Sequence, residues 1–346
     1  MANETNHIEP SVDIQDGKFT LDDQPIDISP LYFIEEISRG ANGIVLLAKD
    51  PILERNVVVK IWLKLRHNDS RDKVLQGMME VRKQTKAEQT AVRWEDPKFQ
   101  DPYFIPDPSD TVLGVRDMVG HIYSAGYAGE YFYTVMEYLE GVPLRAFLKE
   151  NQALTFGIRY HIALRLNQYN QVLISNGIYH GDLHDNNVMI QNYRKIRKNG
   201  LERKEHTFDL KIIDFGTSCF VEECKAIHRT YSTLMETVNK CISPFTLKDI
   251  HGSPMPKDPK QLPRWITKQL WTLRAGFYEL KQFYVGWPFY LEYGTYMPVA
   301  FGVDTAPVKA LIEKYAAEGK IRLDREFLGR SEDWDTFNGE TAKRGD

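Results

Sequence analysis

His180-Gly181-Asp182-Leu183-His184-Asp185-Asn186-Asn187 is the stretch from which the rest of the chain is read. It follows an apolar, helix-like run and a turn at Asn176-Gly177, and it leads directly into the apolar Val188-Met189-Ile190. The stretch therefore reads as a loop between a helix and a strand. Asp182 could accept or orient the proton of an attacking hydroxyl. Asn187, five residues on, could offer its carboxamide oxygen to a hard cation such as magnesium. Taken alone, the same residues would also make an ordinary polar turn.

A second motif decides between those readings. Leu210-Lys211-Ile212-Ile213 reads as a short buried strand, and Asp214-Phe215-Gly216 follows it directly. An Asp at the end of an apolar strand, released by Gly, is well placed to hold a metal against nucleotide phosphates. Asp-Phe-Gly alone is common. Here it stands downstream of His-x-Asp-x-x-x-x-Asn, with glycines and a strand lysine upstream in the expected order.

From about Leu31 to about Phe220 the chain resembles the protein-kinase-like superfamily. The resemblance implies an α+β, bilobal fold, with a small β-rich N-lobe carrying one main helix and a larger, mostly helical C-lobe. It implies ATP and Mg2+ as cofactors and transfer of a phosphoryl group to a hydroxyl. On this reading residues 1–30 are an N-terminal extension, either a β-hairpin or a tail, and 31–141 are the N-lobe and hinge. Residues 142–329 are the C-lobe, and 330–346 a polar tail.

The resemblance also implies roles. Ser38, Gly40, Ala41, Asn42, Gly43 and Val45 align with a glycine-rich loop, with Ser38 at the first glycine position. Glycines there let backbone N–H groups approach phosphate oxygens. Lys60, in the strand pattern Val57-Val58-Val59-Lys60-Ile61, would pair with phosphates. A carboxylate on the helix-like stretch Ser70–Trp94 would pair with Lys60. Glu88 is the choice because Ala91 and Val92, three and four positions on, would turn it inward, and Glu80 is its rival. Met136, Glu137 and Leu139 belong to the hinge that holds adenine, after strand patterns at Met118–Tyr123 and Tyr131–Met136. Asp214 and Asn187 would hold magnesium, Asp182 would face the acceptor hydroxyl, and His184 stands beside it.

Several positions depart from regulated protein kinases. Gly181 stands where those enzymes carry Arg, so control by a phosphate clamped there is not expected. His-Gly-Asp-Leu-His is similar to aminoglycoside and choline kinase-type enzymes and to some atypical and bacterial protein kinases. No Ala-Pro-Glu follows Asp214-Phe215-Gly216. Three readings stay open: an atypical protein kinase acting on Ser or Thr, which is preferred; a small-molecule kinase; and a non-catalytic nucleotide-binding protein or AMP-transferring relative.

The bulk numbers fit these readings. The chain has 346 residues, enough for two compact units. Its net charge of -4 makes no global case for nucleic acid or an anionic membrane. No run approaches the ~18 apolar residues of a membrane span. A cytoplasmic protein, or an effector exported by a non-standard signal, is expected, with a protein substrate favoured over a small-molecule hydroxyl. Cys219, Cys224 and Cys241 are odd in number, without Cys-x-x-Cys spacing, and read as thiols.

Elsewhere, residues 1–16 read as polar and frayed, and Lys18–Ile28 as a small hairpin. Ile158, Ile162, Leu166, Tyr169 and Leu173 recur at helical spacing and predict a helix with one buried face. A hairpin turn at Lys198-Asn199-Gly200 carries Arg194, Lys195, Arg197, Lys198, Arg203 and Lys204, read as a solvated tip rather than a dock for an acidic partner. Aromatic residues crowd the stretch from Trp271 to Tyr296 and read as core packing.

Overall fold

Val12–Gln15 and Lys18–Leu21 alternate apolar with polar residues, the period-2 pattern of half-buried strands, whereas Ile44–Ala48 and Val57–Val59 are continuous apolar runs that suit buried strands. In the computed structural model these four stretches lie in strands. The structure describes residues 10–40, 42–63, 72–88, 91–93, 112–114, 118–198, 203–222, 227–251, 254–258, 261–280, 304–329 and 333–334. Two units are present. The first comprises the described residues within Met1–Gln89, Val119–Leu139 and Asp214–Ser218, and the second those within Thr90–Met118, Glu140–Ile213 and Cys219–Asp346.

Strands β1 (Val12–Gln15), β2 (Lys18–Leu21) and β3 (Gln24–Ile26) make a small antiparallel sheet of the first unit. Residues 12–15, expected to fray, thus form a strand. The turns fold because Asp16, Asp22 and Asp23 tolerate left-handed φ of 51°, 51° and 61°. Strands β4 (Tyr32–Gly40), β5 (Gly43–Asp50) and β6 (Arg55–Trp62) follow. Phe19, Leu21, Ile26 and Ile28 share one apolar core with Phe33, Ile44, Leu46, Val57, Val59 and Ile61.

Helix α1 spans Lys73–Glu88. Its buried positions are Lys73, Gly77, Glu80, Gln84 and Ala87, at helical spacing, whereas Leu75 and Met78 are exposed. The covered stripe of this helix is therefore mostly polar. Gly77 sits in it because a Cβ would crowd the rings of Phe132 and Trp62. The helix is shorter than the Ser70–Trp94 reading: it ends at Glu88, and β7 (Ala91–Arg93) pairs with β8 (Val112–Gly114) in the second unit.

Strands β9 (Ile122–Ala128) and β10 (Tyr131–Glu137) complete the large sheet of the first unit, in the antiparallel order β4-β5-β6-β10-β9. The expected strand at Met118–Tyr123 begins only at Ile122.

The second unit is mostly helical. Strand β11 (Gly141–Pro143) leads into α2 (Leu144–Glu150) and α3 (Phe156–Ser175). The Thr155 hydroxyl caps α3 by accepting from the Ile158 N–H. The helix is buried on more than the one expected face: His161, Arg165, Asn167, Gln168 and Asn170 are covered along with the apolar stripe. Gly177, at φ 80°, then turns the chain into β12 (Ile178–Tyr179). Strands β13 (Val188–Lys198) and β14 (Arg203–Ile212) pair with β11 in the order β11-β13-β14, and β15 (Cys219–Phe220) pairs with β12.

Helices α4 (Ile227–Ile242), α5 (Leu247–His251), α6 (Leu262–Glu279), α7 (Ala306–Ala317) and α8 (Arg325–Leu328) finish the unit. Asn167 of α3 reaches α6, donating to the Pro263 carbonyl at 2.8 Å and the Thr267 hydroxyl at 2.9 Å. Phe156, Phe245, Phe277 and Trp334 pack ring against ring, and Trp271 and Tyr278 are buried. The sequence-predicted aromatics from Phe283 to Tyr296, Ala41, the Asp-Pro loop at 95–111, the hairpin turn at 199–200 and the 330–346 tail (save 333–334) lie outside the described residues.

Cys219 is disulfide-bonded, which corrects the expectation of thiols throughout. Cys241 is a fully buried thiol whose pKa burial pushes up to about 12 from 9.0. In the native protein its thiolate fraction at pH 8 should be roughly a thousandfold below that of an ordinary cysteine. Iodoacetamide is expected to leave Cys241 unmodified until the chain is unfolded, read by mass of the peptide carrying it.

Candidate active site

In the first unit the site is built on alternation along β5 and β6. Lys60 and Trp62 lie two apart on one face of β6, so the Lys60 ammonium passes 4.1 Å over the Trp62 ring. Its nitrogen donates to both oxygens of Glu80 on α1, at 2.8 and 3.0 Å, and lies 3.7 Å from Asp214 Oδ1. Lys60 and Glu80 side chains are 11% and 5% exposed, whereas Asp214 is half exposed. Burial alone would lower the Lys60 pKa, but the Glu80 and Asp214 carboxylates outweigh it and hold Lys60 charged. Burial, with Asp214 adding to it against Lys60, pushes Glu80 up. Because both Glu80 oxygens accept from one ammonium, the direction that governs the site is that of Lys60.

Glu88 is not the partner of Lys60, which corrects the sequence reading. It ends α1 and pairs with the His121 imidazole, while its other oxygen accepts from the Ile122 N–H at 3.5 Å. Ala91 and Val92 do not continue the helix and lie in β7, and the covered stripe of α1 that carries Glu80 is polar rather than apolar.

Asp214 adopts a left-handed backbone (φ 62°, ψ 80°) and its carboxylate accepts from the Gly216 N–H at 3.2 Å. Such a conformation costs about 1–3 kcal/mol at a residue other than glycine and tends to be kept at functional sites. A Cβ on Gly216 would come within 2.9 Å of Glu80 and 3.1 Å of Asp214, so this glycine makes room for both carboxylates.

The β4–β5 turn pairs Ser38 with Val45 and Gly40 with Gly43. Gly43 has φ +149°, and a Cβ there would run into the Ile61 carbonyl, so only glycine fits. Gly40 has open space around it, and packing does not demand it. Asn42 is held by the Lys73 ammonium, which donates to its side-chain oxygen at 3.1 Å, and by its own carbonyl, which accepts from the Leu63 N–H at 3.3 Å. Met136 and Glu137 end β10. The Glu137 N–H donates to the His121 carbonyl at 2.8 Å, and its carboxylate accepts from the His121 N–H at 3.1 Å. Leu139 is buried.

In the second unit, backbone hydrogen bonds fix the loop after β12. His180 is fully buried; its Nδ1 accepts from the Asp182 N–H at 3.3 Å, so its Nε2 donates to the Ile213 carbonyl at 3.0 Å. Gly181 has φ +89°, a conformation other residues rarely adopt, and this is the physical reason for glycine beside Asp182. His184 Nε2 lies 3.5 Å from Asp182 Oδ2 while its Nδ1 accepts from the Asn186 N–H at 3.2 Å. The Asn187 side-chain NH2 donates to the Asp182 carbonyl at 3.0 Å. That commits its nitrogen and leaves its carboxamide oxygen as the end it can offer a cation. The Ile213 N–H donates to the Asn187 carbonyl at 3.0 Å.

The structure thus brings Lys60, Glu80 and Asp214 together in one unit, and Asp182, His184 and Asn187 together in the other. Among the described residues no three His, Cys, Asp or Glu side chains gather as a metal site. A cation on the Asp214 carboxylate would draw its other ligands from oxygens of different kinds, as magnesium does.

Three residues escaped the sequence reading. Asp185, with its side chain 4% exposed, accepts from Arg145 of α2 at 3.2–3.3 Å and from Lys240 of α4 at 3.0 Å. Their separation in sequence hid them. Burial alone would raise the Asp185 pKa, but its hydrogen bonds from Arg145 and Lys240 lower it below 3.8. A lowered carboxylate contributes stability that is present above its unfolded pKa and lost as pH falls through the folded one. Below about pH 4 the wild-type stability should therefore fall more steeply than that of Asp185→Asn, by up to one proton, about 1.4 kcal/mol per pH unit. Urea unfolding across that range measures it.

A model of the protein kinase domain matches residues 112–241, which include Asp182, Asn187 and Asp214 but not Lys60 or the glycine turn. A protein of Clostridium acetobutylicum named as a probable serine/threonine-protein kinase is 27% identical over 156 residues. That match spans 45% of this chain and 20% of the relative, so the chain corresponds to about a fifth of the relative's length. Among the described residues no helix is long and apolar enough to cross a membrane. With the α+β architecture and the ordered motifs on a strand, a helix and two loops, these matches support a likeness to the protein-kinase-like superfamily, carried by residues 112–241.

Proposed function

We propose that this chain is an ATP- and magnesium-dependent phosphotransferase that acts on Ser or Thr hydroxyls of proteins. The observation that carries the reading is the Lys60 ammonium, gripped by both Glu80 oxygens at 2.8 and 3.0 Å with Asp214 3.7 Å away. An ammonium held charged and fixed in direction is what phosphate oxygens require, since phosphoryl transfer asks mainly for position and counter-charge. Asp214 offers a half-exposed carboxylate and Asn187 a carboxamide oxygen, each the kind of hard oxygen that magnesium takes. Bound magnesium would neutralise charge on the phosphate oxygens.

In this reading Lys60 and the backbone of Ser38, Gly40, Ala41, Asn42 and Gly43, with Val45, receive the phosphates, while Met136, Glu137 and Leu139 receive adenine. Asp182 orients the acceptor hydroxyl and takes its proton late. His184 steadies the Asp182 carboxylate, because its Nδ1 accepts from Asn186 and a neutral ring then carries its proton on Nε2, toward Asp182.

A second reading, phosphorylation of a small-molecule hydroxyl, is favoured by His180-Gly181-Asp182-Leu183-His184 and by the missing Ala-Pro-Glu. Incubating the chain with ATP labelled on the γ-phosphate, magnesium and a cell lysate separates the two. Label on protein Ser or Thr, lost in Asp214→Ala, is the expected result. ATP consumption that depends on small metabolites, without labelled protein, would replace the first reading by the second.

A further inference from the structure

Asp185 lies between Asp182 and Asn187, yet its carboxylate is turned away from solvent and committed to two cations. Arg145 holds it from the first turn of α2, donating from Nε at 3.3 Å to each oxygen and from a terminal nitrogen at 3.2 Å. The Arg145 backbone N–H also donates to the Asp185 carbonyl at 3.0 Å. Lys240 holds it from α4 at 3.0 Å, and is itself fixed by Glu236 at 2.9 Å. Arg159 of α3 donates to the Lys240 carbonyl at 2.8 Å. One turn earlier on α4, the Thr237 hydroxyl donates to the Leu183 carbonyl at 2.9 Å. Two helices therefore grip the loop at successive points.

A buried carboxylate with two cations seldom adds net stability over an apolar filling, because desolvation offsets the attraction. It does impose one geometry, since any displacement of the carboxylate strands a charge. That geometry is passed on by short connections. The Asn187 N–H donates to the His184 carbonyl at 2.9 Å, and the Asn187 side chain to the Asp182 carbonyl at 3.0 Å. A shift of residues 184–186 would strain both bonds.

We propose that Asp185 is a positioning residue: gripped by Arg145 and Lys240, it sets the Asp182 carboxylate and the Asn187 carboxamide for phosphoryl transfer. The clamp is built into the fold and needs no added phosphate. The part of this inference that concerns rate rests on the function proposed above; the part that concerns loop order does not.

The test compares the full chain with Asp185→Asn, Lys240→Met and Lys240→Arg by two readouts. In steady-state transfer of labelled phosphate, Asp185→Asn and Lys240→Met are expected to lower kcat by about 100-fold, with KM for ATP changed less than about threefold. Lys240→Arg is expected to recover most of the loss. In hydrogen exchange, which needs no catalysis, the Asn187 and Ile213 amides should exchange at least about tenfold faster in the first two variants, with α6 unchanged.

Unaltered loop exchange in Asp185→Asn and Lys240→Met would overturn the clamp. So would faster exchange spread over the whole second unit with kcat and KM shifting together, which is the mark of general destabilisation. A wild-type chain that transfers no phosphate would remove the proposed function, and loop exchange would still decide the clamp. If Asp185→Asn does not fold, Lys240→Met against Lys240→Arg carries the same comparison.

Discussion

Asp182→Asn is expected to lower the turnover number for phosphoryl transfer by about 10²- to 10⁴-fold, the usual weight of a positioned proton acceptor. Asparagine keeps the shape of the side chain and loses only its basicity and charge. The backbone of residue 182 is anchored by His180 and by the Asn187 side chain, and neither bond involves the carboxylate. The loop should therefore keep its fold, and thermal unfolding should shift by no more than about 1 kcal/mol. Nucleotide affinity should change little, because Lys60, Glu80 and Asp214 are untouched. Turnover at saturating ATP, beside a fluorescence titration of nucleotide binding, measures both parts. Equal turnover in the variant would remove Asp182 from the chemistry.

Glu80→Ala and Glu88→Ala are expected to behave very differently. Removing Glu80 leaves the buried Lys60 ammonium, among the described residues, with the more distant Asp214 as its carboxylate partner, a situation that typically costs about 3–5 kcal/mol. The ammonium would also lose its fixed direction, so activity should fall with stability. Removing Glu88, whose side chain is 8% exposed, takes the carboxylate from a part-exposed histidine and from the Ile122 N–H, which typically costs about 1–2 kcal/mol. Urea unfolding of the two variants, with turnover measured on each, tests the exchange of roles. If Glu88→Ala proved the more damaging, the pairing described for Lys60 would be wrong.

The residues from His180 to Asn187 were legible because their chemistry is local: two side chains five apart on one loop, followed by an apolar strand. Lys60 was legible because a single charge interrupts the apolar run of β6. Glu80 was not, although it lies on a helix that was foreseen. Helical reading assumes that the covered face is apolar, and on α1 the covered stripe is Lys73, Glu80 and Gln84 while Leu75 and Met78 face solvent. A polar stripe at helical spacing was the signal, and it points to a charged site rather than to a core. Asp185 was illegible for another reason. Its partners stand 40 and 55 residues away, and nothing in a local pattern connects a turn aspartate to Arg145 and Lys240. The two-sided burial of α3 escaped notice in the same way, since the covered Asn167 side chain finds its partner Thr267 in an element a hundred residues on.

Asp182 in one unit and the Lys60–Glu80–Asp214 cluster in the other are each expected to be needed for phosphoryl transfer. The most direct test is magnesium-dependent transfer of γ-labelled phosphate from ATP by the purified chain, beside Asp182→Asn and Asp214→Asn. Transfer is expected from the wild type, abolished without magnesium and reduced by at least about 100-fold in each variant. Transfer that persists in both variants, or that proceeds equally without a divalent cation, would contradict that expectation.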